Sequence, residues 1–250
     1  APKWHSPKNI AISVKTDDGV FSVGGVAKGS GMIHPMMGTM LSYITTDAKV
    51  GSDILTRILR DSVDQSFNQV DVDGDSSTND TVVLMANGKS GVEISSQLNT
   101  NIFSEAILYV SKFLAKLVAE DGEGISHLIT VEVTGGLDDI QARNTAHSVV
   151  SSSLVKTAIY GKDPNWGRIM MAVGNTKSKI ERDKIKMSIN GIQIVEEGKS
   201  ISFHYQSVIS ALNHFEVEIN IDLGLGNGRG IAWGSDLTEE YVVFNSAYTT

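Results

Sequence analysis

Threonine inside a polypeptide is a weak nucleophile. It becomes a good one as the first residue of a chain, because its own α-amine then takes the hydroxyl proton. Residues 28–39, KGSGMIHPMMGT, hold a threonine where that can happen. The α-amine has a reference pKa of about 7.7–8.0, so a useful fraction is neutral at physiological pH. Gly38 precedes Thr39. Its missing side chain lets the backbone take a strained conformation and leaves room for the hydroxyl to attack the preceding carbonyl. The chemistry implied is self-cleavage at Gly38–Thr39, followed by nucleophilic catalysis by Thr39. The plain alternative for the same residues is a Gly/Pro turn ahead of a strand.

Other polar residues carry two readings. Lys28, flanked by glycine and small residues, is either a solvated loop charge or an ammonium suited to a carboxylate. Asp71, Asp73 and Asp75 imitate the start of a calcium loop, but positions six and twelve are Ser76 and Val82 instead of glycine and glutamate. A polar loop leading into a strand fits better, and no metal is expected. Glu123 in DGEG reads as an exposed turn residue by default. Asn245 and Thr250 sit at a terminus, where fraying is the rule. Trp166 and Arg168 in DPNWGR read as structural, in a turn followed by a strand. GLGNGRG at 224–230 lacks the strand–glycine–helix setting of a nucleotide loop and reads as a turn between strands. None of the six histidines forms a Ser/His/Asp pattern or a metal-ligand spacing, and His34 falls in a turn near Thr39.

The elements that must position these residues are legible from period. Asp53 to Phe67, with Ser52 as N-cap, Ile102 to Glu120, and Asp138 to Val155 read as helices. Two acids in the first turn of the last suit the helix dipole. Ile10–Thr16, Val20–Val26, Thr81–Ala86, Leu128–Thr134 and Ile169–Val173 read as strands. Thr45 and Thr46 fit a strand or turn. Lys184–Ile189 and Ile192–Val195 flank Asn190–Gly191, a strong hairpin signal. Phe215, Val217, Ile219 and Ile221 alternate with polar residues, so that strand buries one face. Helices mixed with hairpins give an α+β class with layered sheets. A linker at 175–183 suggests a core over 39–174 and a smaller β-rich lobe over 175–250.

The chain has 250 residues, 41% hydrophobic and 20% charged, with a net charge of −8 and no cysteine. That is enough chain for a sizeable core in one or two domains. The negative charge argues against nucleic acid as a partner. The stretch Lys177–Lys186 alternates signs and reads as a solvated loop. The lack of cysteine excludes disulfides and a cysteine nucleophile, and is compatible with a reducing cytosol. No apolar run reaches the ~18–20 residues of a membrane span, and no signal-peptide pattern opens the sequence.

Five blocks resemble one family in order: GGVAKGSGMIHPMMGTMLSYITTDA at 24–48, FNQVDVDGDSSTNDTVVLMANG at 67–88, VAEDGEG at 118–124, SSSLVKTAIYGKDPNWGRI at 151–169 and YVVFNSAYTT at 241–250. The family is the ornithine acetyltransferases (glutamate N-acetyltransferases), self-processing enzymes of arginine biosynthesis. The resemblance implies a self-cleaving fold of the N-terminal-nucleophile type. Residues 1–38 would be the end of an α segment, and the β segment would run from Thr39 to Thr250, its tail returning to the active site. It implies Thr39 as the nucleophile and Lys28, Thr39, Glu123, Asn245 and Thr250 as substrate contacts, with Asp121 a weaker candidate than Glu123. It brings Ser77–Asp80 near the threonine, where Asn79 and Asp80 would orient it. Gly38 stands where the family usually has alanine. The acetyl group would pass from N2-acetylornithine to glutamate through an acetyl-threonine ester. No cofactor is implied, though some members accept acetyl-CoA as donor. Paired α and β segments in a dimer of such units, in the cytoplasm and without nucleic acid or membrane, complete the expectation. The family's oxyanion-hole threonine and glycine lie in a part of the α segment outside these 250 residues. An isolated chain with no complementing segment is therefore expected to have weak or no activity. A self-processed amidohydrolase or aminopeptidase, and a non-catalytic fragment, are the rival readings.

Overall fold

The structure, a computed structural model, describes residues 7–34 and 40–247; Gly38, Thr39 and Thr250 lie outside the described residues. Along the chain run β1 (Lys8–Thr16), β2 (Gly19–Lys28), β3 (Leu41–Thr46), β4 (Lys49–Val50), α1 (Ser52–Asp64), β5 (Val70–Asp71), β6 (Thr81–Ala86), β7 (Glu93–Ile94) and α2 (Gln97–Glu120). There follow β8 (Leu128–Gly136), α3 (Asp139–Val150), α4 (Ser153–Tyr160), α5 (Trp166–Gly174), β9 (Lys186–Ile189), β10 (Ile192–Glu196), β11 (Lys199–Ser200), α6 (Tyr205–Ala211), β12 (Glu216–Asp222), β13 (Gly228–Ser235) and α7 (Glu239–Ala247). Mixed sheets and helices give the expected α+β class. Two compact units form, one from residues 1–68 and 75–121, the other from 69–74 and 122–250. The boundary expected near residue 174 falls within the second.

In the first unit, β1, β2, β3 and β6 form a four-stranded sheet in that order. The first two pairings are antiparallel, and β3–β6 is parallel. On one face Phe21, Val23 and Ile44 are fully buried. Helix α2 lies against β1 and β2, with α1 beside it. The rings of Phe21 and Phe103 meet at 5.8 Å between centroids, interplanar angle 53°. Gly25 on β2 is a packing requirement: a Cβ there would lie 2.8 Å from side-chain atoms of both Leu114 and Val110.

The second unit is built on a seven-stranded sheet, ordered β11-β10-β9-β12-β8-β13-β5. The β12–β8 and β13–β5 pairs are parallel and the others antiparallel. Its core joins Ile129, Val131 and Val133 of β8 and Val217, Ile219 and Ile221 of β12 to Ala142, Ala146 and Val149 of α3. Residues 224–227 of the 224–230 run turn between β12 and β13, as expected, and its last three residues open β13. Its glycines also let α3 approach, since a Cβ on Gly230 would lie 2.2 Å from the Arg143 nitrogen.

Four expectations need correction. Ile169–Val173 is not a strand but most of α5. Asn165 caps that helix, its side chain accepting the Arg168 N–H at 3.2 Å, and Ile169, Ala172 and Val173 are buried at helical spacing. Asp138–Val155 is not one helix. It breaks at Ser151–Ser152, and the Ser152 side chain caps α4. Ser52 is the first helical residue of α1, whose N-cap is Gly51 with no side-chain cap. Helix α2 starts earlier than expected because Ser96 accepts the Asn99 N–H and caps it. Among the described residues no helix is long and apolar enough to cross a membrane.

Candidate active site

Thr39 itself lies outside the described residues, but its chain neighbour does not. Met40, buried at the entry to β3, is gripped on both sides of its backbone. Its N–H donates to the Asp80 carboxylate. Its carbonyl accepts the Thr81 N–H at 3.0 Å. These bonds continue the parallel β3–β6 ladder one residue beyond its paired start at Leu41 and Thr81. Lys28 ends β2 opposite Leu41. Gly29, at φ +151, lets the following turn pass close: a Cβ there would lie 3.3 Å from the Met40 Cα. The Asp80 carboxyl is held above its ordinary value by burial first. The Met40 N–H and the Lys28 charge pull it the other way. The expected Lys28 and Asp80 are thus brought together at the entry to β3, and the next residue back along the chain is Thr39. Thr45 and Thr46 lie in β3, where the Thr46 hydroxyl donates to the Ser22 carbonyl at 2.7 Å.

The second unit gathers the other expected contacts that fall among the described residues. Asn245 on α7 donates to Glu123 at 3.4 Å. Asp121 forms an ion pair with Lys8. Gly124 makes the approach of α7 feasible. It sits at φ +68, and a Cβ on it would lie 2.6 Å from the Tyr241 nitrogen. The Thr238 hydroxyl donates to the Gly124 carbonyl and accepts the Tyr241 N–H, so it caps α7. Tyr160 faces the same helix start. Its hydroxyl is pushed up by burial first, then by the carboxylates of Glu239, Glu240 and Asp236, against a hydrogen bond to the Glu239 backbone.

Sequence reasoning missed two buried arrangements. Lys156, 3% exposed, pairs with the Asp71 carboxylate at 2.9 Å. Its ammonium also donates to the carbonyls of Asp71, Val72 and Ser235 at 3.2, 3.1 and 2.8 Å. Asp73 accepts the Tyr241 hydroxyl at 3.2 Å. Ser126, His127 and Asp236 also meet. The Asp236 carboxylate accepts from both their side chains, with 2.7 Å to His127 Nδ1. The Ser126 oxygen lies at the same Nδ1, 2.9 Å away. A serine-protease-like triad needs serine on Nε2 and aspartate on Nδ1, so this cluster is a clasp between the chain before β8 and after β13. Arg168 donates to the Leu154 carbonyl at 3.0 Å, the structural role expected.

The ArgJ family's sequence pattern matches residues 5–250. The chain belongs to the ArgJ family. It is 47% identical over 250 residues to the "Arginine biosynthesis bifunctional protein ArgJ" of Oceanobacillus iheyensis, covering 98% of this chain and 61% of that protein. It is 44% identical to the protein of the same name from Staphylococcus aureus strain Mu50, covering 97% of this chain and 59% of that one. The chain therefore spans about three fifths of the length of these relatives. Among solved structures, the argJ protein of Bacillus halodurans superposes with a TM-score of 0.78 at 39% identity, covering 82% of this chain and 97% of that one.

Proposed function

We propose that this chain carries the acetyl-transferring centre of an arginine-biosynthesis enzyme. It cleaves itself at Gly38–Thr39, and Thr39 then moves an acetyl group from N2-acetylornithine to glutamate. In the first half-reaction the Thr39 oxygen attacks the acetyl carbonyl. The C–N bond to ornithine breaks, and the departing amine takes the hydroxyl proton by way of the Thr39 α-amine. In the second, the glutamate amine attacks the ester, the C–O bond breaks, and the proton returns to the threonine oxygen. Donor and acceptor are both α-amino acids, so one pocket serves both steps. Lys28 answers the α-carboxylate, Glu123 the cationic side chain of ornithine, and the Asn245 amide and Thr250 hydroxyl bind without adding charge.

The observation that carries this reading is the family match over residues 5–250, which takes in all five sequence blocks. Another supports it: Asp80 and Lys28 converge on the residue after Thr39. Assembly from α and β segments, as a dimer of such pairs in the cytoplasm, belongs to the same proposal.

The test is intact mass under denaturing conditions, followed by transfer of labelled acetyl from N2-acetylornithine to glutamate. The wild type, supplied with the remainder of the α segment, gives masses split at Gly38–Thr39 and labelled N-acetylglutamate. Thr39→Ala gives one uncut mass and no transfer. Transfer that survives in Thr39→Ala would remove Thr39 from its role, and label released only to water would favour an amidohydrolase.

A further inference from the structure

Helix α7 carries Asn245 yet buries none of its side chains. Val242 and Val243 remain 61% and 66% exposed. Polar contacts fix the start of this helix and run along one of its faces. Thr238 and Gly124 fix the first turn. Beyond it stands the Tyr241 hydroxyl, which donates to the Asp73 carboxylate at 3.2 Å. Tyr241 and Asn245 are four residues apart, on the same face of the helix, and the Asn245 amide also donates to the Tyr241 carbonyl at 3.1 Å. Whatever fixes the rotation of Tyr241 therefore fixes where Asn245 points.

Asp73 is a firm anchor. The two residues before it are clamped through their carbonyls by the buried Lys156 ammonium. The Ser235 hydroxyl donates to the Val72 carbonyl at 3.1 Å as well. β5, which ends at Asp71, is a strand of the seven-stranded sheet. The tether thus runs from that sheet through Asp73 and Tyr241 to Asn245 and its partner Glu123.

We propose that Tyr241 and Asp73 are positioning residues for the substrate-binding end of the site: their hydrogen bond sets the helix that presents Asn245 to Glu123. This rests on the reading of Glu123 and Asn245 as substrate contacts. Neither Tyr241 nor Asp73 touches the reacting atoms, so the tether acts on binding and leaves the chemical step alone.

The experiment compares the purified, assembled wild type with Tyr241→Phe, Asp73→Ala, Asp73→Asn and the Tyr241→Phe/Asp73→Ala double variant. Hydrogen exchange of amides 239–247 is read without substrate, and KM and kcat with N2-acetylornithine. Tyr241→Phe and Asp73→Ala are expected to exchange about tenfold faster over α7 and to raise KM about tenfold, with kcat within about twofold. Asp73→Asn keeps an acceptor oxygen and stays near wild type. The double variant loses less than the sum of the two single ones, because their shared bond is lost only once. Unchanged exchange, unchanged KM, an additive double variant, or a loss confined to kcat overturns the proposal. A wild type that neither binds nor turns over N2-acetylornithine overturns the functional reading alone, because the exchange of α7 reads the tether without substrate. Slower-exchanging α7 in wild type than in Tyr241→Phe would then show that the fault lies in the substrate and not in the tether.

Discussion

The carboxylate of Asp80 accepts the backbone N–H of Met40, forty residues away in sequence. That N–H belongs to the planar peptide unit joining Thr39 to Met40. The bond thus holds the Met40 end of the peptide that follows the proposed nucleophile. Thr81 completes the grip from the other side of Met40.

The state of that carboxylate sets a pH dependence. Burial raises the Asp80 pKa above 3.8, against the Met40 hydrogen bond and Lys28. An acid with a raised folded pKa holds its proton more readily in the folded state. Its contribution to stability is therefore full below 3.8 and is lost as pH rises through the raised value. Its contribution to positioning runs the other way. The ionised carboxylate is the stronger acceptor, and on acidification it is neutralised earlier than an ordinary aspartate. Self-cleavage of the uncut chain, which precedes any free α-amine, should slow as pH falls into that range. Asp80→Asn should cleave about fivefold slower at neutral pH, for about 1 kcal/mol of hydrogen-bond energy, and should lack the acid limb. Cleavage rates followed by mass across pH 4–8 decide it; an unchanged profile in Asp80→Asn removes Asp80 from this role.

Lys156 makes a separate prediction about stability. Its ammonium pairs with Asp71 and satisfies three carbonyls in a site closed to water. Lys156→Met keeps the apolar stem and removes the charge, leaving the Asp71 carboxylate buried without its cation. Breaking a buried pair from one side costs about 3–5 kcal/mol. The Lys156→Met/Asp71→Asn double variant removes both charges and should recover part of that loss. Urea unfolding of the second unit's sheet reads both. A single variant within 1 kcal/mol of wild type would mean that the clamp carries little of the unit's stability.

The sequence spoke clearly where local pattern and tertiary environment agree. Asn190–Gly191 takes positive φ at both positions, 45° and 77°, as its hairpin turn requires. The expected strand Thr81–Ala86 matches β6 end to end. It misled at residues 169–173, where a short apolar run fits a buried strand and a buried helix face equally. The deciding signal, Asn165 as an N-cap, sat four residues upstream. Lys156 was invisible for another reason. A lone lysine in a helical pattern reads as solvated, and its partners lie 79 to 85 residues away. His127 and Asp236 are 109 residues apart. At the site, Lys28, Glu123 and Asn245 were named from family blocks, whereas Tyr241 and Asp73 show their pairing only once α7 is folded onto its unit.

The last prediction separates two reasons for glycine. At Gly191 the constraint is conformational: φ is +77, but nothing lies within 4 Å of where a Cβ would stand. Gly191→Ala should cost only the left-handed penalty, about 1–2 kcal/mol. At Gly230 the constraint is space. A Cβ would stand 2.2 Å from the Arg143 nitrogen and 2.5 Å from the Ala142 carbonyl carbon, both in the backbone of α3. A helix backbone gives way only by moving as a whole, and α3 supplies Ala142, Ala146 and Val149 to the core. Gly230→Ala should therefore reach the upper end of the overpacking range, about 3 kcal/mol or more, with the loss spread over the unit. Urea midpoints order the two variants, and hydrogen exchange in α3 distinguishes their causes. Faster exchange of α3 amides is expected only in Gly230→Ala. Equal losses in both variants with α3 protected would show that the approach of the helix is not what requires glycine at 230.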